Sequence, residues 1–235
     1  MNILQQYIIN PIRDFIYPPL CFTCNQILRD NEVRVCSSCW NSFTRIDSSH
    51  PTWHELKGKF AAEKVIQDIF SCFLFEKDGK LQDVIHCLKY QGMKSLGIKL
   101  GEEIGRRITS DGMMGWADYL IPVPLHKLKK RERGFNQSEY ICKGISAVTN
   151  LPMHSDILIR KKYTQSQTQL NLQERKENVG DAFEVDKECR YIIPGRSFIL
   201  VDDVITTGAT INACAKELIS NNANRIYAAS VALAE

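Results

Sequence analysis

Apolar positions in this chain fall into two rhythms, short β-prone runs and longer stretches repeating near 3.6 residues, and the two alternate from residue 69 onward. Residues 69–75 are a continuous apolar run that predicts a strand, and Asp78-Gly79 turns the chain after it. Residues 80–90 then place Leu81, Val84, Ile85 and Leu88 on one helical face, ended near Gly92. A second helix is expected over 96–108 with Leu96, Leu100, Ile104 and Ile108 inward. Its Gly97, Gly101 and Gly105 recur every four residues, which predicts close packing against another element at some cost in helix propensity. Further strands are expected at 119–124, 157–160, 182–185, 198–201 and 225–233, with helices at 138–148 and from Ile211 through Cys214, Leu218 and Ile219. This alternation predicts a largely parallel sheet covered on both faces. Residues 1–17 read as a short amphipathic helix stopped by Pro18-Pro19, and 55–67 as a linker or short helix.

At 235 residues with 44% apolar content, the chain is long enough for one medium domain plus a small appendage. No apolar run approaches 18 residues, so no membrane insertion is expected. The amino terminus has no basic lead or small-residue cleavage site, which argues against a signal peptide and makes the cytoplasm the default location. A net charge of +3 does not by itself imply nucleic-acid binding, but the basic excess is clustered at 126–134 and 160–162.

The nine cysteines of a cytosolic chain point to a metal or buried thiols rather than disulfides. Cys21, Cys24, Cys36 and Cys39 form C-x2-C-x11-C-x2-C, two knuckles whose sulfurs complete a tetrahedral shell for structural Zn²⁺ with no position open to water. So polar a segment has little core of its own, and metal would supply most of its stability. Trp40, Phe43 and Trp53 are expected to cover this module or dock it, and His50 and His54 to be surface or packing residues. The division expected is a zinc-binding module at 1–56 and a main domain at 57–235.

The chemistry concentrates at residues 198–210, FILVDDVITTGAT. An apolar strand ends at Asp202 and Asp203, and small residues then open a helix. Backbone N–H groups and hydroxyls of Thr206, Thr207, Gly208, Ala209 and Thr210 can cradle a phosphate there, aided by the helix dipole. Gly208 lets the backbone take a positive φ or approach the ligand. The two acids beside the cup suit the hydroxyls of a sugar phosphate.

Residues 201–210 resemble the signature of the type I phosphoribosyltransferases, which use phosphoribosyl pyrophosphate (PRPP). No nucleoside-triphosphate P-loop pattern occurs. Together with the cysteine knuckles, Pro122-Val-Pro124 leading to Arg133-Gly-Phe-Asn-Gln137, and Thr164, Gln167-Thr168, Leu170, Arg175 and Asn178-Val179, they resemble the ComF family of competence-associated proteins. The family pattern has a further cysteine pair after Cys39 that is missing here, so a second metal site is not expected. The resemblance implies an α/β fold, a type I phosphoribosyltransferase-like parallel sheet flanked by helices with a small amino-terminal zinc-binding module. It implies Asp202 and Asp203 as catalytic acids, Mg²⁺ bound with PRPP, and the 5′-phosphate on residues 206–210. A cationic loop after the 119–124 strand, with Lys127, Arg131 and Arg133, would take the pyrophosphate, and a flexible loop with Thr164, Gln167 and Thr168 would close over the substrate. Several purine salvage enzymes place an acid where Thr206 stands, so purine salvage is not expected. Three roles stay open: a phosphoribosyltransferase with an unidentified acceptor, a non-catalytic single-stranded DNA-binding accessory protein regulated by PRPP, and a scaffold docking a competence helicase or channel protein in DNA uptake during natural transformation.

Overall fold

The computed structural model describes residues 18–30, 32–112, 115–161 and 182–235. The strands among them are β1 (Ile69–Phe75), β2 (Tyr119–Pro122), β3 (Leu158–Arg160), β4 (Phe183–Val185), β5 (Ser197–Ile205) and β6 (Arg225–Ala234). The α-helices are α1 (Ser37–Asn41), α2 (Pro51–Glu63), α3 (Lys80–Tyr90), α4 (Lys94–Ser110), α5 (Lys127–Arg133), α6 (Gln137–Thr149) and α7 (Ala209–Ser220). The helix expected at 1–17 and the loop carrying Thr164, Gln167 and Thr168 lie outside the described residues.

Strands rich in Ile, Val, Leu and Phe on both faces demand cover on both sides. The main sheet obeys, running β1-β6-β5-β2 with every neighbour parallel. Ile199 and Val201 of β5 face a layer built with Leu96, Leu100 and Ile104 of α4 and Ile141 and Ile145 of α6. Phe198 and Leu200 face the opposite layer, where Ile211 and Leu218 of α7 meet Trp53, Leu56 and Phe60 of α2. The parallel, doubly covered sheet expected from the apolar pattern is therefore present.

Three local expectations are corrected. β5 does not stop at the acid pair. Pairing of Asp202 with Ser230, Val204 with Ala232 and Ile205 with Leu233 carries the strand through both carboxylates. Residues 158–160 and 183–185 pair antiparallel with each other and stay outside the main sheet. Each run is only three residues long, and their Leu158, Phe183 and Val185 sink into the α7 layer instead. The basic segment after β2 is the helix α5 rather than a loop. His126 caps it by accepting from the Leu128 N–H at 3.3 Å, and Gly134 at φ +76° closes it. Residues 51–63 form one helix, started by Pro51 and capped by His50, and the division expected between residues 56 and 57 falls inside it.

The cysteine module is bound to the sheet by backbone and rings. Leu74 N–H donates to Thr44 O at 2.9 Å and Ile46 N–H to Cys72 O at 3.1 Å, so the module covers the free edge of β1. Trp40 and Phe43 pack on Phe73 of β1 with ring centroids 6.3 and 5.6 Å away. That matches the docking role expected of both, whereas Trp53 packs into the α7 layer from α2.

Helices α4 and α6 cross at glycines. A Cβ on Gly101 would lie 2.0 Å from Ile141 O, and one on Gly144 would lie 2.0 Å from Ile98 O. The spacing of glycines in α4 thus has its reason in this contact. Gly101→Ala should lower stability by about 1–2 kcal/mol, because overpacking at a backbone contact costs up to roughly 3 kcal/mol and outweighs the roughly 1 kcal/mol gained in helix propensity. A urea midpoint equal to or above wild type would contradict this crossing.

Candidate functional site

The tip of β5 and the turn into α7 carry the densest chemistry in the fold. Gly208 takes φ +77° and caps α7, a left-handed conformation that a side chain resists. There is also no room for one, since a Cβ would lie 2.6 Å from Phe60 Cε1 and 3.1 Å from Leu56 Cδ1. Helix α2 therefore presses on the cradle from outside. Ala209 N–H turns toward Thr207 Oγ1 at 3.4 Å. The N–H groups of Thr207, Gly208, Thr210 and Ile211 have no protein acceptor among the described residues. Thr206 is exposed and Thr207, Ala209 and Thr210 half-buried, so the turn stays open to a ligand.

Asp202 and Asp203 stand one step before this turn. Asp202 Oδ1 accepts from Ser138 Oγ at 3.3 Å and from Asp203 N–H at 2.9 Å, and Asp203 Oδ1 accepts from Val204 N–H at 2.8 Å. Asp203 is buried, and Lys89 Nζ lies 2.8 Å from its Oδ2 as an ion pair. Burial, and then the charge of Asp203, push Asp202 up to about 7 despite help from the Asp203 N–H, Lys89 and Ser138. Burial pulls Lys89 down, but Asp203 and then Asp202 outweigh it and hold the amine above its usual value.

The cations that reach these acids are mostly not the expected ones. Lys127 and Arg131 sit on the exposed side of α5, while Arg133 turns inward, donating to Gln137 Oε1 at 2.8 Å. Burial and the nearby charges of Arg160, Arg133 and Lys89 hold Lys129 below the usual lysine range, so these four cations crowd one another. Arg160 in turn feels the charge of Asp202. The site thus joins Arg133 to Lys89, Lys129 and Arg160, with Ser138 and Phe60 in support. A signal for Lys89 was available: it lies four residues past Ile85, toward the buried face of an otherwise amphipathic helix. Chemically, the assembly offers free amides to one anion, an acid pair to hydroxyls, and a cation cluster to a second anion.

At the other end of the chain, Cys21, Cys24, Cys36 and Cys39 place their Sγ atoms within 4.8 Å of one another, with Cys24 and Cys36 3.6 Å apart. Four thiolates at about 2.3 Å from one Zn²⁺ need such spacings. Cys36 N–H donates to Cys21 Sγ at 3.3 Å, and Cys39 N–H to Cys36 Sγ at 3.5 Å, the main-chain support a thiolate needs. Although burial opposes it, bonds from Thr23 and the main chain bring Cys21 down to about 6. Cys24 accepts from the Gln26 N–H, yet burial and its three sulfur neighbours drive it up to about 12. All four cysteines lie within one cluster, and the donor set fits structural zinc.

Residues 12–51 match the family model described as a double zinc ribbon domain. The DNA utilization protein YhgH of Shigella flexneri is 31% identical over 149 residues, spanning 61% of this chain and 63% of that protein. Competence protein F of Haemophilus influenzae is 36% identical over 99 residues, 42% of this chain and 43% of that protein. The chain thus matches under two thirds of the length of these relatives. Among solved structures, glutamine PRPP amidotransferase from B. subtilis aligns with a TM-score of 0.38 at 18% identity, over 58% of this chain and 26% of that one. No helix among the described residues is long and apolar enough to cross a membrane. With its cysteine cluster and zinc-ribbon match, the chain has homologues named DNA utilization protein YhgH, competence protein F and competence protein ComFC.

Proposed function

We propose that this chain binds PRPP and transfers its phosphoribosyl group to an acceptor. What supports the reading is one juxtaposition: open amides after β5, the acid pair at its tip and the crowded cations Lys89, Lys129, Arg133 and Arg160 beside it. The 5′-phosphate would take the amides of residues 206–210 and the ribose hydroxyls would take Asp202 and Asp203. The pyrophosphate would take the cations, with Lys127 and Arg131 at the rim. As the bond from C1 to pyrophosphate breaks, its electron pair leaves with the pyrophosphate, whose charge the cations meet. The acid pair faces the positive charge left on the sugar, and the acceptor's lone pair then closes on C1. Mg²⁺ fits here because Asp202, disfavoured as an anion, would regain its charge beside a divalent cation, and the metal supplies neutralisation of the leaving group.

The zinc module at the amino terminus and the sheet that follows it form the two units of this proposal. The words DNA utilization and competence in the relatives' names extend it to DNA uptake in natural transformation, in the cytoplasm, with single-stranded DNA and a helicase or channel protein as partners.

Calorimetric titration tests the core of the reading. Wild type should bind PRPP with Mg²⁺ present and inorganic pyrophosphate more weakly. Lys129→Ala should weaken both by roughly 10- to 100-fold, the scale of one charge-assisted hydrogen bond. No heat from PRPP with wild-type protein would overturn it.

A further inference from the structure

Gly208 gives the turn after β5 its shape and also its weakness. At φ +77° it sits where glycine rests easily, and the same freedom lets the turn leave that shape. Inside the turn, Ala209 N–H reaches Thr207 Oγ1 only at 3.4 Å, a weak internal tie. The firm wall comes from another part of the chain. Phe60 and Leu56, on the buried face of α2, stand so close that a Cβ on Gly208 would lie 2.6 and 2.8 Å from Phe60 Cε1 and Cζ and 3.1 Å from Leu56 Cδ1.

Helix α2 is in turn placed by the end of the cysteine module. The zinc-ribbon match ends at residue 51, where α2 begins. Ile46, whose N–H is bonded to Cys72 O of β1, is buried in the same layer as Trp53, Leu56 and Phe60. Arg107 of α4 spans the junction, donating from Nη1 to Ile46 O at 3.5 Å and lying 5.9 Å over the Trp53 ring. Further along α2, the pairs Lys57–Asp68 and Glu63–Lys216 have exposed lysines, and such pairs contribute little. The apolar face of α2 and the delivery of its first turn by the module therefore decide where the Phe60 ring stands.

We infer that α2 carries the state of the zinc module to the phosphate turn, with Phe60 as the positioning residue. While the module is folded, the ring holds Gly208, and the open amides of Thr207, Gly208, Thr210 and Ile211 stay set for one anion. When the module is lost, the ring withdraws and the turn must be ordered by the ligand itself. A turn ordered beforehand binds more tightly because less freedom is lost on binding. The ligand is taken from the PRPP reading, and only its 5′-phosphate end is concerned. The cations proposed for the pyrophosphate come from α3, α5 and β3, none of which rests on Gly208.

Ribose 5-phosphate and inorganic pyrophosphate, titrated separately into the full chain by calorimetry, read the two ends. Phe60→Leu keeps an apolar core but lacks the ring atoms that face Gly208, and Phe60→Met reaches that depth again with a flexible chain. Each variant is checked for bound zinc and for native circular dichroism. Ribose 5-phosphate should bind roughly 5- to 150-fold more weakly to Phe60→Leu and to zinc-stripped wild type, the usual span of coupling between two sites. Phe60→Met should stay close to wild type, and pyrophosphate affinity should be unchanged throughout. The two losses should not add in zinc-stripped Phe60→Leu, because both act through one ring. Additive losses, equal weakening of both ligands, or wild-type ribose 5-phosphate affinity in either the variant or the stripped protein would overturn the link. Failure of ribose 5-phosphate to bind wild type would remove the PRPP reading and this link together, whereas binding that neither change weakens removes the link alone.

Discussion

Stripping zinc with a chelator, or replacing Cys21 or Cys39 by serine, is expected to unfold the module around α1 and to uncover the edge of β1. Little else holds that segment. Apart from the ligands, its buried side chains among the described residues are Leu28, Val35, Trp40, Phe43 and Ile46, far short of what an independent core requires. Apparent binding free energies of structural zinc are roughly 10–16 kcal/mol, more than such a core can replace. The loss should then travel along two contacts. Trp40 and Phe43 release Phe73, and the Thr44 and Ile46 backbone partners of Leu74 and Cys72 disappear. Hydrogen exchange at Leu74 N–H should accelerate by orders of magnitude on chelation, with one zinc per chain lost by elemental analysis. If Leu74 stays protected in the zinc-free protein, the module is not held by its metal.

The contrast between that module and the ligand site shows what an amino-acid pattern can carry. The cysteine cluster was legible because its chemistry is local: two knuckles at fixed spacing must meet if they share an ion. The strand, turn and helix of 198–210 were legible for the same reason, with Gly208 at positive φ where the turn requires it. Lys89, Lys129 and Arg160 were not. They come from three elements, and only the closure of the sheet brings Lys89 to Asp203, Arg160 toward Asp202, and Lys129 near both cations. The basic run 127–133 has the composition of a loop, yet His126 and Gly134 cap it as a helix, and helix formation then decides which of its cations face inward. Charge alone would end β5 at the acids, whereas pairing with β6 continues under them. Residues 158–160 and 183–185 had the composition of strands but not the length to claim a place in the main sheet.

The second large effect is expected at the acids themselves. Asp202→Asn combined with Asp203→Asn should weaken PRPP binding by roughly 10²- to 10⁴-fold with Mg²⁺ present, since two hydrogen bonds to charged groups at about 1.5–3 kcal/mol each are lost. Asp203→Asn alone also strands Lys89, a mostly buried amine, so it should lower stability as well as affinity. Asp202→Asn separates the two effects through its pH dependence. An aspartate near 3.9 in the unfolded chain that is pushed up to about 7 in the fold binds more protons folded than unfolded between those values. Its contribution to stability is therefore intact below about 4 and is progressively lost as pH rises toward 7. Asparagine does not titrate, so Asp202→Asn should melt above wild type at pH 8, with the gain vanishing toward pH 4. A variant that is more stable at pH 8 and yet binds PRPP weakly there has lost a ligand contact and not its fold. Wild-type PRPP affinity in the double variant would mean that the carboxylates at the tip of β5 do not hold the sugar.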